Sequence, residues 1–475
     1  MTLHSWHPKA LARRALVSLF AFACVAAPAI GQPEIPKTPA GRVFAAWLTS
    51  FNSADTAAFR AFDATYRSEA PPPIEGRLAF REGTGGFTLV RIEKSEPLSI
   101  VALLQEKSSD QIVKLDLKVS SDEMPKIVGS TIEPAPRPAD LAIPRLTEAG
   151  ALAALTARAD DLAKKDQFSG VLLIVRHGKV LLQKAWGRAN RETGAPVTLD
   201  TQFRIGSMNK MFTSIATLQL VEAGKLALDD PIGKILTDYP NKDVATKVTV
   251  RHLLTHTGGT GDIFGPEFFQ NRLTLREHAD YLKLYGSRAL MSEPGKQFQY
   301  SNYGFVLLGA ILEKVSGMSY YDYVNEKIFK PAGMTSTASL PESQSVPNRA
   351  TGYMKRDNGW VANTETLAWR GTSAGGGYST VGDFLRFAQA LEAGKLVSKA
   401  MLAEATRPHQ GEYGYGFEAQ GEGALRSYGH GGGAPGMNGD LRVFPQLGYV
   451  LVGLTNLDPP AASRLVDFFA ARMPE

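Results

Sequence analysis

From Arg42 onward, apolar residues fall three or four apart: Val43, Phe44, Trp47, Leu48 and Phe51, then Phe59 and Phe62. That spacing predicts helix. Residues 76–80, 86–93, 98–105 and 111–119, with a last segment near Ile127, read as strands. Helix followed by antiparallel strands predicts a small α+β domain over residues 42–133. Residues 134–147 carry Pro134, Pro136, Pro138 and Pro144 and read as a linker. The pattern then starts afresh. Residues 149–165 form an amphipathic helix, and residues 169–175 and 179–186 a hairpin around His177-Gly178. Near the end, residues 439–444 and 449–455 alternate as strands about a turn at 445–448, and residues 461–473 close as a helix. The middle is mostly helix and loop. The expected fold class over residues 148–475 is therefore α/β: one antiparallel sheet built from both ends of the region, flanked by helices, with a helical middle.

Length and composition agree with two domains. A chain of 475 residues exceeds one ordinary hydrophobic core. Its 44% hydrophobic and 21% charged residues are ordinary for a globular protein. The net charge of +5 is small for this size and implies no nucleic-acid partner. Residues 1–31 read as a signal peptide: Lys9, Arg13 and Arg14 precede an apolar run with Leu16, Val17, Leu19, Phe20 and Phe22, and Ala29 and Gly31 suit cleavage before Gln32. The run is short for a membrane anchor, the Arg13-Arg14 pair has weak flanks for twin-arginine export, and Phe22-Ala23 fits poorly with acylation at Cys24. The expectation is export, to the periplasm or beyond, with no transmembrane span after cleavage. Residues 32–41 are a Pro-containing linker. Cys24 is the sole cysteine, so the mature chain would have neither disulfide nor thiol chemistry. The sequence sets no oligomeric state.

Three short segments carry chemistry. Ser207-Met208-Asn209-Lys210 opens an apolar helix with Met211, Phe212, Ile215 and Leu218. Residues three apart share a helix face, which sets Lys210 beside Ser207. The helix start lends the serine oxygen a positive potential and offers the Ser207 N–H to an oxyanion. Ser-x-x-Lys alone is a weak signal, but this one is unique in the chain, and its apolar helix would bury Lys210, which is costly for a lysine without a task. Tyr300-Ser301-Asn302 lies at a loop-to-helix junction like that of Ser207. A phenol beside a lysine cation is expected to titrate low and to shuttle a proton. Tyr239 and Tyr323 also head Tyr-x-Asn triplets, but lie in a turn and inside a helix. The run from Tyr428 to Gly436, with His430-Gly431-Gly432-Gly433, reads alone as a glycine-rich turn before the last strands; its glycines would let a substrate approach the backbone closely.

Together these segments resemble the serine β-lactamase and penicillin-binding superfamily, in its class C-like branch of β-lactamases, D-alanyl-D-alanine carboxypeptidases, D-aminopeptidases and family VIII carboxylesterases. The stretch from Val250 to Gly259, Glu293-Pro294-Gly295 and Ser373-Ala374-Gly375-Gly376-Gly377 are typical of that branch. The resemblance implies an exported serine hydrolase. Ser207 would be the nucleophile, with Lys210 and Tyr300 sharing acid–base work. Asn302, His430 and Gly432 would bind substrate, and the N–H groups of Ser207 and Gly433 would form the oxyanion hole. No metal or organic cofactor is implied. Class C β-lactamases carry Lys-Thr-Gly where this chain has His430-Gly431-Gly432, and that lysine helps hold a β-lactam carboxylate. Esters or D-amino-acid amides are thus better expected substrates than β-lactams. The alternatives are a class C-like β-lactamase or penicillin-binding carboxypeptidase, and a penicillin-recognising module without turnover. By pattern, residues 42–133 resemble the cystatin-like cone of nuclear-transport-factor-type domains.

Two other motifs point elsewhere. Gly371-Thr372-Ser373-Ala374-Gly375 matches the nucleophile elbow of α/β-hydrolases, but lacks a helix directly after the serine. His252 and His256 have the spacing of a zinc helix, but Leu253 stands where the glutamate is needed.

Overall fold

The computed structural model describes residues 33–356 and 359–475. The proposed signal peptide lies outside them. The chain divides into two compact units, with the boundary between Leu141 and Ala142.

In the first unit, α1 (Pro39–Ser53), α2 (Thr56–Tyr66) and α3 (Ile74–Thr84) accompany an antiparallel sheet of β1 (Phe87–Glu96), β2 (Ser99–Glu106), β3 (Ile112–Val119) and β4 (Ile127–Ala135) in sequential order. Val43, Phe44 and Phe51 of α1 meet Ile100, Ala102, Leu115 and Leu117 of the sheet in one core. Residues 76–80, expected as a strand, belong to α3: Ile74 and Leu78, one turn apart, pack on this core while Phe80 stays exposed. Five residues are too few to separate the two periods. The expected linker also loses its first residues to β4, which runs through Pro134 opposite Val113. A proline fits there because β4 is an edge strand.

The second unit is built around a six-stranded antiparallel sheet. The strands are β5 (Gly170–Arg176), β6 (Lys179–Trp186), β7 (Glu418–Gln420), β8 (Ser427–Ala434), β9 (Met437–Phe444) and β10 (Tyr449–Thr455). Their spatial order is β7-β8-β9-β10-β5-β6, so both ends of the unit share one sheet. The glycine run from Gly429 to Gly433 lies in β8 and is not a turn. Gly432 pairs with Gly439, so this part of the ladder is nearly bare backbone. The central strand β5 is apolar without a break because both its faces are covered. Val171, Leu173 and Val175 face the helical middle, while Leu172 and Ile174 face α4 (Glu148–Lys164) and the C-terminal helix Ser463–Ala470.

In the helical middle, α5 (Asn209–Glu222) is buried almost all round. Phe212 packs edge-on against Phe329 and Phe387, at 5.1 and 4.8 Å between ring centres, and stacks on Phe384. In chain order come α6 (His278–Tyr285) and α7 (Asn302–Ser316); α7 packs beside α5, and α6 against α7. Among the described residues no helix is long and apolar enough to cross a membrane.

Candidate active site

Ser207 sits in a single 3-10 turn, Gly206–Met208, that runs directly into α5. Gly206 has φ 52°, and a Cβ there would lie 3.0 Å from the Gly433 nitrogen. A Cβ on Gly432 would lie 2.0 Å from the Ile205 carbonyl oxygen. Both positions need glycine for β8 to lie against the serine turn. That approach brings the Gly433 backbone next to the residue before Ser207.

One turn on, Lys210 is completely buried. Its Nζ donates to Ser207 Oγ at 3.3 Å, to Asn302 Oδ1 at 2.7 Å and to the Ala374 carbonyl at 2.5 Å. It also lies 4.7 Å from the centre of the Tyr300 ring and 5.4 Å from that of Phe305. Burial drives the amine down to about 7, against the opposing pull of the Asp262 carboxylate. This lysine is therefore ready to exchange a proton at neutral pH.

Tyr300 stands just before α7, whose N-cap is Ser301. Its hydroxyl lies beside that of Ser207. The low titration expected for the phenol is wrong. The residue as a whole is 37% exposed, but desolvation of the phenol raises it well above the usual tyrosine range, and the neighbouring Ser207 hydroxyl offsets only part of that rise. The sequence shows the neighbouring cation but not the packing around the hydroxyl.

His430, on β8, is buried, and its Nδ1–H donates to the Gly431 carbonyl at 2.5 Å. Its Nε2 accepts from the Tyr413 hydroxyl at 2.9 Å. That hydroxyl in turn lies 3.1 Å from His256 Nε2, while His256 Nδ1 accepts from the Ser301 N–H. These partners leave both imidazoles neutral, one proton each. Burial lowers both and the Lys210 charge adds to the effect, while the Glu418 carboxylate pulls His430 the other way. The His256 ring lies tilted over Tyr300, 4.2 Å between centres. Ser207, Lys210, Tyr300 and Asn302 are thus in one cluster, with His430, Gly432 and Gly433 along its edge.

The family model described as Beta-lactamase matches residues 155–472. The chain belongs to that family. Over 304 residues it is 31% identical to penicillin-binding protein 4* of Bacillus subtilis, covering 58% of this chain and 65% of that protein. It is 33% identical to esterase EstB of Burkholderia gladioli over 216 residues, covering 41% of this chain and 55% of that one. The matches thus span less than two thirds of either relative. The crystal structure of a penicillin-binding protein from Bacillus halodurans superposes with a TM-score of 0.60 at 30% identity, covering 65% of this chain and 98% of that one.

In this β-lactamase-family chain, the remaining motifs fall into place as structure. Ser373 looks like a second nucleophile: its Oγ is 2.8 Å from His278 Nε2, and His278 Nδ1 is 3.0 Å from Glu313 Oε1. It is sealed, however. Ser373 is 0% exposed, and its hydroxyl also reaches the Phe305 carbonyl at 2.8 Å. Only the absence of a side chain at Gly309 leaves room for it, since a Cβ there would lie 2.3 Å from Oγ. No acyl group fits. Instead the segment is pinned beneath α5: Asn209 Nδ2 donates to the Thr372 carbonyl, Thr213 Oγ1 to that of Ser373 and Lys210 Nζ to that of Ala374. Of the two zinc-spaced histidines, His252 accepts from the Thr249 N–H at a helix start, and His256 lies in the site under Tyr300.

Sequence reasoning missed the roles of Asp262, Tyr413, Phe305 and the Ala374 carbonyl, and met His256 as part of the Val250–Gly259 stretch and as a metal candidate, without a place in the site. None belongs to a local pattern that spells its role. Asp262, four residues past Gly258, was the most accessible signal, as a carboxylate in an otherwise apolar and glycine-rich loop.

Proposed function

We propose that this chain is a serine hydrolase that works through an acyl-enzyme on Ser207, with carboxylic esters as the first substrate class and D-amino-acid amides as the second. The observation that carries the reading is a fully buried lysine, lowered to about 7, within hydrogen-bond reach of the Ser207 hydroxyl. A base poised near the working pH is what general-base activation of a hydroxyl requires.

In this mechanism neutral Lys210 takes the Oγ proton as Oγ attacks the substrate carbonyl carbon. The N–H groups of Ser207 and Gly433 receive the oxyanion. The bond to the leaving oxygen then breaks. The proton passes from Lys210 through the Tyr300 hydroxyl to that oxygen, a role that suits a phenol holding its proton firmly. Water repeats the sequence on the acyl-enzyme, giving its proton to the same pair, and releases the acid and free Ser207. Asn302 orients Lys210 and, with His430 and Gly432, lines the substrate edge.

The preference for esters rests on the third motif. His430 is neutral and hydrogen-bonded at both nitrogens, and the Glu418 carboxylate lies 3.7 Å from its Nδ1. A substrate carboxylate, as in a penicillin, meets no cation there. The similarity to EstB supports the same choice. Export to the periplasm or beyond is part of the proposal; it rests on residues 1–31, and N-terminal sequencing of the secreted form tests it.

The test is turnover of p-nitrophenyl esters, a D-alanine p-nitroanilide and nitrocefin by wild type and Ser207→Ala. Ester hydrolysis abolished in Ser207→Ala, with the fold intact, is the expected result. Near-normal rates would overturn the assignment. Nitrocefin outpacing the esters would move the substrate to β-lactams.

A further inference from the structure

The Lys210–Asn302 contact depends on which way the Asn302 amide faces. An amide has an acceptor at one end and donors at the other. Only with Oδ1 toward Lys210 does it accept from Nζ; turned over, it would set its NH₂ against the amine.

What holds the amide in place is a loop far away in sequence. Asp262 accepts the Asn302 backbone N–H on Oδ1 at 2.9 Å and the Asn302 Nδ2 on Oδ2 at 3.1 Å. Its Oδ1 also accepts from the Ile263 N–H at 2.8 Å. A carboxylate only accepts, so it selects the NH₂ end of the amide. The loop is itself tied down. Arg288 Nη1 donates to the Asp262 carbonyl at 2.8 Å, and Ser301 Oγ donates to that of Gly261.

We propose that Asp262 is a positioning residue that locks Asn302 with its oxygen toward Lys210, the orientation in which the amide accepts from the amine. The proposal rests on the reading of Ser207 and Lys210 given above. The other groups around the amine do not substitute for Asp262. Ser207, Tyr300, Asn302 and the Ala374 carbonyl are uncharged, Phe305 offers its ring, and His256 and His430 are neutral. Glu418 lies against His430, and Arg288, bonded to the Asp262 carbonyl, is paired with Glu267.

Asp262→Asn removes the charge, keeps the shape and lets the Asn302 amide turn. Both effects disfavour the Lys210 cation, so both lower its titration. The experiment measures kcat and KM for p-nitrophenyl acetate from pH 5 to 10 in wild type, Asp262→Asn, Asn302→Ala and the double variant, with fluorophosphonate labelling of Ser207 alongside. In Asp262→Asn the limb of the profile that reports Lys210 should move down by about one pH unit. The kcat should fall by about 10²-fold, with KM changed much less. If the moving limb is the acidic one, Lys210 acts as the base; if the alkaline one, it acts as the cation. The double variant should lose little more than Asn302→Ala does, because one residue acts through the other. Equal loss at every pH with both limbs unmoved, or full additivity, would reduce Asp262 to a structural residue and overturn the proposal. Asp262→Ser, smaller and equally uncharged, makes the same forecast if Asp262→Asn fails to fold. Loss of labelling at Ser207 in the wild type would instead sink the underlying reading.

Discussion

Lys210→Met should remove a pH dependence of stability that the buried amine gives the wild type. Lys210 is 0% exposed and titrates at about 7, against an ordinary lysine value of about 10.4. At about 1.36 kcal/mol per tenfold, holding the charged form in this site costs about 4–5 kcal/mol relative to the unfolded chain. Below pH 7 the amine is charged in both states, and the whole cost is present. Between pH 7 and about 10 the folded chain releases a proton that the unfolded chain keeps. Wild-type stability therefore gains from this group as pH rises through that window. Methionine has similar length and no titration. Its substitution leaves the Asn302 and Ala374 acceptors short of a donor, but that loss is nearly the same at every pH. Urea unfolding of both proteins, scored on the transition of the second unit, gives the stability of Lys210→Met minus wild type. The difference should shrink by about 3 kcal/mol between pH 6 and pH 9.5. A difference flat to within about 1 kcal/mol would show that the lysine is not desolvated as described, and its fitness as a neutral-pH base would go with it.

Other consequences can be checked separately. Tyr300→Phe keeps the ring over Lys210 but removes the proton carrier, so kcat for p-nitrophenyl esters should fall by about 10²–10⁴-fold in steady-state assays. Ser373→Ala leaves the Phe305 carbonyl and His278 Nε2 without their hydroxyl partner; urea unfolding should show a loss of about 1–3 kcal/mol, with fluorophosphonate still on Ser207. Phe212→Ala opens a hole among Phe329, Phe384 and Phe387 and should cost the second unit about 3–5 kcal/mol by the same measurement.

The parts of the fold that showed in the sequence are those where one periodicity runs long enough to be distinctive. The hairpin of β5 and β6, the buried helix α5 and the returning strands β9 and β10 are of this kind, and each occurs close to its expected span. Short or unusual segments misled. Residues 76–80 carry too few positions to distinguish helix from strand. The glycine run at 429–433 lacks side chains to show the period of a strand, yet β8 is held by backbone pairing with β9. The site divides the same way. Ser207, Lys210, Tyr300 and Asn302 lie in short contiguous motifs at helix starts, where spacing carries information. Asp262, Tyr413 and the Ala374 carbonyl come from loops that only the tertiary fold brings in, and a backbone carbonyl has no sequence signature. The titration of Tyr300 was misjudged for a related reason: neighbouring charge can be inferred from a motif, whereas exclusion of water depends on everything packed around it.

The most direct test of the account is to identify the residue that becomes covalently modified. Wild-type protein is incubated with a fluorophosphonate, weighed intact, digested, and the modified peptide sequenced by mass spectrometry. The account predicts one adduct per chain, on Ser207, and loss of that adduct in Ser207→Ala. An adduct on Ser373 or any other serine, or a wild-type protein that turns over esters and stays unmodified, would contradict it.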